Sequence, residues 1–280
     1  MYSQLHMKVE TLQSITEIKS EDCYETKGSR PVKVFCDDLN YYVCKYNTGQ
    51  GFPAVLFNEY LAACFLKIWQ LDVPDFAFVN VAKEHVKRTG YPYHYFDVPC
   101  FGSRFYGAFK EVDKLFLETP GLKNDPVSGK ESFLKIGLFD IWMSNEDRHY
   151  ENFNLLYNLK EKRYVPIDHA MCFNSGNLNK APYLIGNNES ILSSPFINRF
   201  FYKPLQQNFN DTRLSLIKEF KHNASNCHED LDIILANTPI AWKSDNKYLR
   251  SRLEFLFSES WIKACVEHFT TILTLTLNPK

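Results

Sequence analysis

The chain has 280 residues, 45% apolar and 23% charged, and its 32 basic and 33 acidic side chains leave a net charge of −1. That composition excludes wholesale disorder and fibrous repeats. The near-zero charge argues against direct nucleic-acid binding, because a protein that neutralises many phosphates carries a basic excess. None of the eight cysteines forms a C-x-x-C pair, so zinc-ribbon and thioredoxin-like readings fail, and reduced, buried thiols in a cytoplasmic protein are expected. No stretch of eighteen residues is wholly apolar and the N-terminus has no signal-peptide pattern, so no membrane role is expected.

In chain order, residues 31–47 predict two short strands around an Asp-Asp-Leu-Asn turn, rich in Val and Tyr. A helix is predicted over 53–71, opened by Pro53 and closed by Val73-Pro74. Residues 76–86 and 95–103 read as further extended segments. Residues 131–145 are apolar on nearly every face, which predicts a helix at the centre of a larger helical body. A strand pair follows in NFNLLYN and RYVPID, and then an Asn/Ser/Gly-rich loop over 174–194. Helical patterns return at 213–223, 231–237 and 249–269, and the four tryptophans fall mainly on helical patterns as core residues. The predicted fold is α+β and bilobal, with a small antiparallel-sheet lobe over 1–98 and a mainly helical lobe over 99–280.

The residues that carry chemistry cluster in NEDRHYENFNLL (145–156) and VPIDHAMCF (165–173). Asn152 stands five residues after Asp147, and Asp168 twenty-one after it. Phosphoryl transfer needs a carboxylate to take a hydroxyl proton and hard oxygen ligands for magnesium on ATP. Asp147 suits the first role and Asn152 and Asp168 the second, the hairpin between them returning the chain to the same edge. In YYVCKY, period-two alternation puts Lys45 on an apolar face, where a lysine is costly unless paired. Glu59, on a helical stripe with Leu56 and Ala63, is its expected partner. Gly28-Ser29 and the T-G-Q-G at 48–51 are candidate phosphate-cradling turns, and plain turns are the competing reading. Arg148 and His149 are read as loop-orienting or phosphate-meeting, His169 as support for its turn, and Asp140 as a structural acceptor.

These strings, FNEYLAACFLKIWQLDVP, FGS, LFDIWMSNEDRHYENFNLLY and VPIDHAMCF, resemble the HipA-like kinase family over most of residues 28–175. The resemblance implies a bilobal kinase fold and ATP-dependent phosphorylation of a protein Ser or Thr. It also implies Asp147 as catalytic base, Asn152 and Asp168 as magnesium ligands, and Lys45 as the nucleotide lysine with Glu59 its partner. By position alone, His149 is counted with the catalytic set and Gly28 and Ser29 with the nucleotide site. Longer members carry an extra N-terminal subdomain and a DNA-binding antitoxin. This chain starts almost at the phosphate-loop region with no room for that subdomain, so membership in a toxin–antitoxin pair is not expected unless the missing piece is a separate polypeptide, and a separate regulatory or antitoxin-like partner stays open. Ser29 is a candidate for autophosphorylation. A lipid or small-molecule kinase, a nucleotide-binding pseudokinase scaffold and an AMP-transferring enzyme stay open as alternatives.

Overall fold

The computed structural model describes residues 8–25, 30–118, 127–195, 197 and 209–277. Gly28 and Ser29 lie outside the described residues. The N-terminal part is a five-stranded sheet in the order β1-β4-β5-β3-β2, from β1 (Thr11–Gln13), β2 (Val32–Phe35), β3 (Tyr41–Lys45), β4 (Phe76–Asn80) and β5 (Cys100–Arg104). The expected strands around the Asp-Asp-Leu-Asn turn pair antiparallel, with Val32 opposite Cys44 and Phe35 opposite Tyr41. The sheet is mixed, because β1 lies parallel to β4. The α+β class holds, and the sheet is antiparallel everywhere except at that edge.

Strand β5 pairs with both β3 and β4, so Cys100–Arg104 belongs to this sheet, and the chain leaves it at Phe105. Gly102 sits at the centre of β5. A Cβ there would come within 2.8 Å of Val79 Cγ2 and 3.2 Å of Cys44 Sγ, so only glycine lets the far face of the sheet close. That face is a separate small core of Val32, Val34, Tyr42, Cys44, Val79 and Cys100. The opposite face carries Lys45 and looks onto the second half of the chain.

Between β3 and β4 runs α1 (Ala54–Ile68). Twelve of its side chains, Leu56 through Leu66 and Ile68, are buried, so it is a central element of the molecule and not a surface helix. Its end is a Schellman closure. Gln70 takes the left-handed conformation (φ 56°), its N–H bonding Lys67 O and that of Leu71 bonding Leu66 O.

The C-terminal part begins with β6 (Phe109–Glu111) and the short α2 (Lys114–Glu118), followed by α3 (Val127–Met143). β7 (Leu155–Asn158) and β8 (Arg163–Pro166) form the expected hairpin, and β6 adds to its edge as a third strand. The two helical patterns at 213–223 and 231–237 are one helix, α4 (Phe209–Ala236), whose stripe of Phe220, Ala224, Cys227, Leu231 and Ile234 runs unbroken through the polar-looking middle. The pattern at 249–269 is instead divided into α5 (Asn246–Leu253), a short 3-10 turn, and α6 (Glu259–Leu277). Ser258 forces the division, since its backbone is extended and its Oγ accepts from Trp261 N–H at 3.3 Å, starting a new helix. All four tryptophans are buried, as their positions predicted.

Seven of the eight cysteines are buried, Cys23 is half-buried, and none is in a disulfide. Burial pushes the thiols up, Cys36 and Cys64 to about 12. At neutral pH Ellman's reagent is therefore expected to titrate one thiol, Cys23, in the native protein and all eight in guanidinium. Two or more fast native thiols would contradict this packing. Among the described residues no helix is long and apolar enough to cross a membrane.

Candidate active site

Lys45 ends β3 and is almost fully buried, as its place on an apolar face required. Its Nζ lies 2.5 Å from Glu59 Oε1 on α1 and 2.5 Å from Asp168 Oδ1 just beyond β8. Burial alone would push this lysine down, but the two carboxylates outweigh burial and hold its ammonium above the ordinary lysine range. At Glu59 burial wins over the lysine and the carboxyl is held above its usual range. At Asp168, burial is overcome by Lys45 and the carboxyl stays below it. Glu59 Oε1 also accepts from His169 N–H at 2.9 Å, so one carboxylate ties helix, strand and the segment after β8.

Asp147, expected as the base, sits half-buried in the loop after α3. Asn152 Nδ2 donates to Asp147 Oδ1 at 3.0 Å, and Asn154 Nδ2 to Asp147 Oδ2 at 3.1 Å. The two amides fix both carboxylate oxygens from the same loop. With its nitrogen turned to Asp147, Asn152 directs its amide oxygen away from that carboxylate. His149 makes no hydrogen bond to Asp147. Its Nδ1 accepts from Glu151 N–H at 3.2 Å, and its backbone bridges that of Asn152.

Arg148, beside Asp147, has no solvent exposure. Its guanidinium pairs with Asp140 of α3 and donates to Asn154 O (3.3 Å), Ile167 O (2.6 Å) and His169 Nε2 (3.0 Å). Asp140 also accepts from Asn145 Nδ2 at 2.9 Å, which is the structural role its sequence position suggested. Burial pushes the Asp140 carboxyl up to about 6 against the pull of Arg148. His169 is held well below the usual histidine range by burial, Arg148 and Lys45, so its ring is neutral and its Nε2 can accept.

Two asparagines that the motif reading passed over prove structural to the site. Asn154 holds Asp147, and the only signal for it was its nearness to Asn152. Asn58 precedes Glu59 and donates to Ala170 O (3.0 Å) and Cys172 O (3.4 Å). The predicted loop at 174–194 opens on a left-handed turn, Phe173 to Gly176, with φ between 56° and 79°. Left-handed residues cost on the order of 1–2 kcal/mol each outside glycine, and the surroundings hold them here. Asn174 Nδ2 donates to Ala181 O at 2.6 Å, and Ser175 Oγ and Tyr183 OH both donate to Glu146, the neighbour of Asp147.

An open groove of about 340 Å³, lined by Glu111, Asp113, Glu151, Asn152, Asn154 and Ile167, runs beside the loop. The face of the sheet that bears Lys45 also carries Val43, Phe35 and Tyr41, the last two rings 4.7 Å apart, with Lys33 opposite Val43 and its Nζ 5.4 Å from the Tyr41 ring. No cluster of three or more His, Cys, Asp or Glu that could hold a metal occurs among the described residues. Magnesium does not require one, because phosphate oxygens and waters complete its shell when one carboxylate and one amide oxygen are supplied. Asn152 and Asp168 carry donors of those two kinds.

The family model described as HipA-like kinase matches residues 15–270. The chain belongs to the HipA-like kinase family. In fold it is similar to the crystal structure of a Helicobacter pylori proinflammatory kinase, CtkA, with a TM-score of 0.56 and 16% identity, covering 93% of this chain and 99% of that one. No curated protein matches its sequence. The HipA-like match spans both the sheet that bears Lys45 and the helical part that bears Asp147.

Proposed function

We propose that this HipA-like kinase transfers the γ-phosphoryl group of ATP, with magnesium, to a protein Ser or Thr hydroxyl. The observation that carries the reading is the meeting of Lys45 with Glu59 and Asp168, beside a loop in which two amides hold Asp147. Lys45 reaches the α/β-phosphates when nucleotide enters, and Glu59 keeps it there. Asn152 and Asp168 would hold the magnesium, which would neutralise charge on the phosphates. The two amides orient the Asp147 carboxylate, which receives the proton of the acceptor hydroxyl as the new O–P bond forms. The γ-phosphoryl group leaves ADP at the same time. A protein acceptor is inferred from the family likeness.

The test is intact-mass spectrometry of the chain, alone and with candidate acceptors, in ATP and magnesium. Additions of roughly 80 Da support the reading, since a covalent modification is identified by its mass. Additions of roughly 329 Da would mean AMP transfer instead. Labelled lipid with unlabelled protein would move the acceptor to lipids. No turnover and no nucleotide-dependent rise in Tm would leave a scaffold and overturn the proposal.

A further inference from the structure

Arg148 takes no part in the scheme above, yet it is the largest fully buried charged side chain among the described residues. Removing a guanidinium from water costs several kcal/mol even when it is paired. An apolar side chain of similar volume would fill the space at lower cost. What it would lack is the rigid planar fork, whose donors leave in fixed, diverging directions. Here the fork points three ways. Nη1 anchors on Asp140 of α3. Nε reaches Asn154 O, and the side chain of that same asparagine holds Asp147. Nη2 bonds Ile167 O and His169 Nε2, the residues on either side of Asp168.

Asp168 itself has φ 59°, a left-handed backbone that an aspartate tolerates only when its neighbours are held. Arg148 holds both of them. His169 accepts through Nε2, which puts its ring proton on Nδ1, facing Glu59 Oε2 at 3.9 Å. Among the described residues the guanidinium is therefore the one side chain bonded both to the loop of Asp147 and to the two flanks of Asp168.

Building on the kinase reading, we propose that Arg148 is a positioning residue that sets the Asp147 carboxylate against the Asp168 carboxylate and so determines how tightly the site holds its divalent cation. A purely structural arginine would change stability when replaced and leave the cation requirement of the folded enzyme alone. A positioning arginine changes the cation requirement in enzyme that remains folded.

The experiment compares the whole chain with Arg148→Lys, which keeps the charge and removes the fork. Two readouts are taken below the Tm of both proteins: ADP release from ATP against magnesium concentration, and Mn2+ binding in the presence of ADP by electron paramagnetic resonance. The expected result is a cation requirement and a Mn2+ Kd raised roughly tenfold, in the range seen when residues behind metal ligands are removed. The maximal rate should fall by roughly 10–100-fold, since a displacement near 1 Å in a reacting group has that scale, with the KM for ATP changed by less than about threefold. An Arg148→Lys protein that is folded and unchanged in both cation readouts overturns the proposal. Should that variant fail to fold, His169→Leu removes one of the four partners with little change in volume and decides on the same readouts. A raised Mn2+ Kd supports the proposal and an unchanged one overturns it. If the wild-type chain neither releases ADP nor binds Mn2+ with ADP, the kinase reading itself has failed, and this inference falls with it.

Discussion

Asp147→Asn is expected to slow phosphoryl transfer by about 10²–10⁴-fold, the range for loss of a positioned proton acceptor. The substitution keeps the shape of the side chain and removes the oxygen that can take a proton. It touches none of Lys45, Glu59 and Asp168, whose contacts lie on β3, α1 and the segment after β8. The affinity for ATP should therefore stay within about threefold, and the loss should fall on kcat and not on KM. ADP release and a nucleotide thermal-shift titration measure the two quantities separately. A variant retaining a third of the wild-type rate would remove Asp147 from the proposed role of base. Equal losses in rate and ATP affinity would instead mean that the loop had collapsed, which Asn154 is placed to prevent by turning its oxygen toward the new Nδ2 while Asn152 keeps donating to the remaining oxygen.

The largest effect on stability is expected at Trp242. This residue sits in a 3-10 turn of the C-terminal part, but its surroundings belong to the N-terminal part. Its Nε1 donates to Pro99 O at 2.8 Å, and its ring meets Phe78 edge-on at 5.2 Å and Tyr60 at 6.4 Å. Tyr60 returns the contact by donating from its hydroxyl to Ile234 O at 2.9 Å. Truncating a fully buried tryptophan costs about 3–5 kcal/mol, a large share of the ~5–15 kcal/mol that holds a typical domain folded. Trp242→Ala should thus lower the urea midpoint sharply with little change in slope. Trp242→Phe keeps most of the packing and loses the bond to Pro99, worth about 1 kcal/mol plus the cost of a bare carbonyl. A shift of under about 1 kcal/mol for the alanine variant would show that the two halves are not fastened at this point.

What could be read from the sequence was what is local. Asp147 and Asn152 share one loop, and Lys45 revealed itself because alternation along five residues left a cation on an apolar face. The helix that carries Glu59 was visible in its apolar spacing. Long-range arrangement was harder. Strand β1 has three residues and a partner more than sixty positions away in the chain, so neither length nor pattern announces it. The Asn-Ala-Ser-Asn-Cys stretch of α4 looked like an interruption because its composition is polar. Burial of Ala224 and Cys227 on the inner stripe keeps the helix running. At Ser258 the opposite holds, and a single hydroxyl that caps the next helix divides an otherwise continuous apolar pattern. Asn58 and Asn154 were passed over for a different reason. Their work is to bond backbone or hold another side chain, and nothing in their type or spacing distinguishes them from turn residues.

The central burial of α1 bears on how this enzyme could be inhibited. Compounds that disable a kinase by wedging its glutamate-bearing helix outward need a helix with solvent behind it. Here Phe78 and Trp242 pack against Tyr60, the neighbour of Glu59, and α4 packs against the same helix, so displacing the helix would mean disrupting the core. A small recess of about 20 Å³ between Glu59, Phe101, Ile167 and Asp168 offers no room for a ring. Chemistry aimed at this site would have to come from the front, along the groove bordered by Glu111, Asp113 and Glu151, where the surface is open.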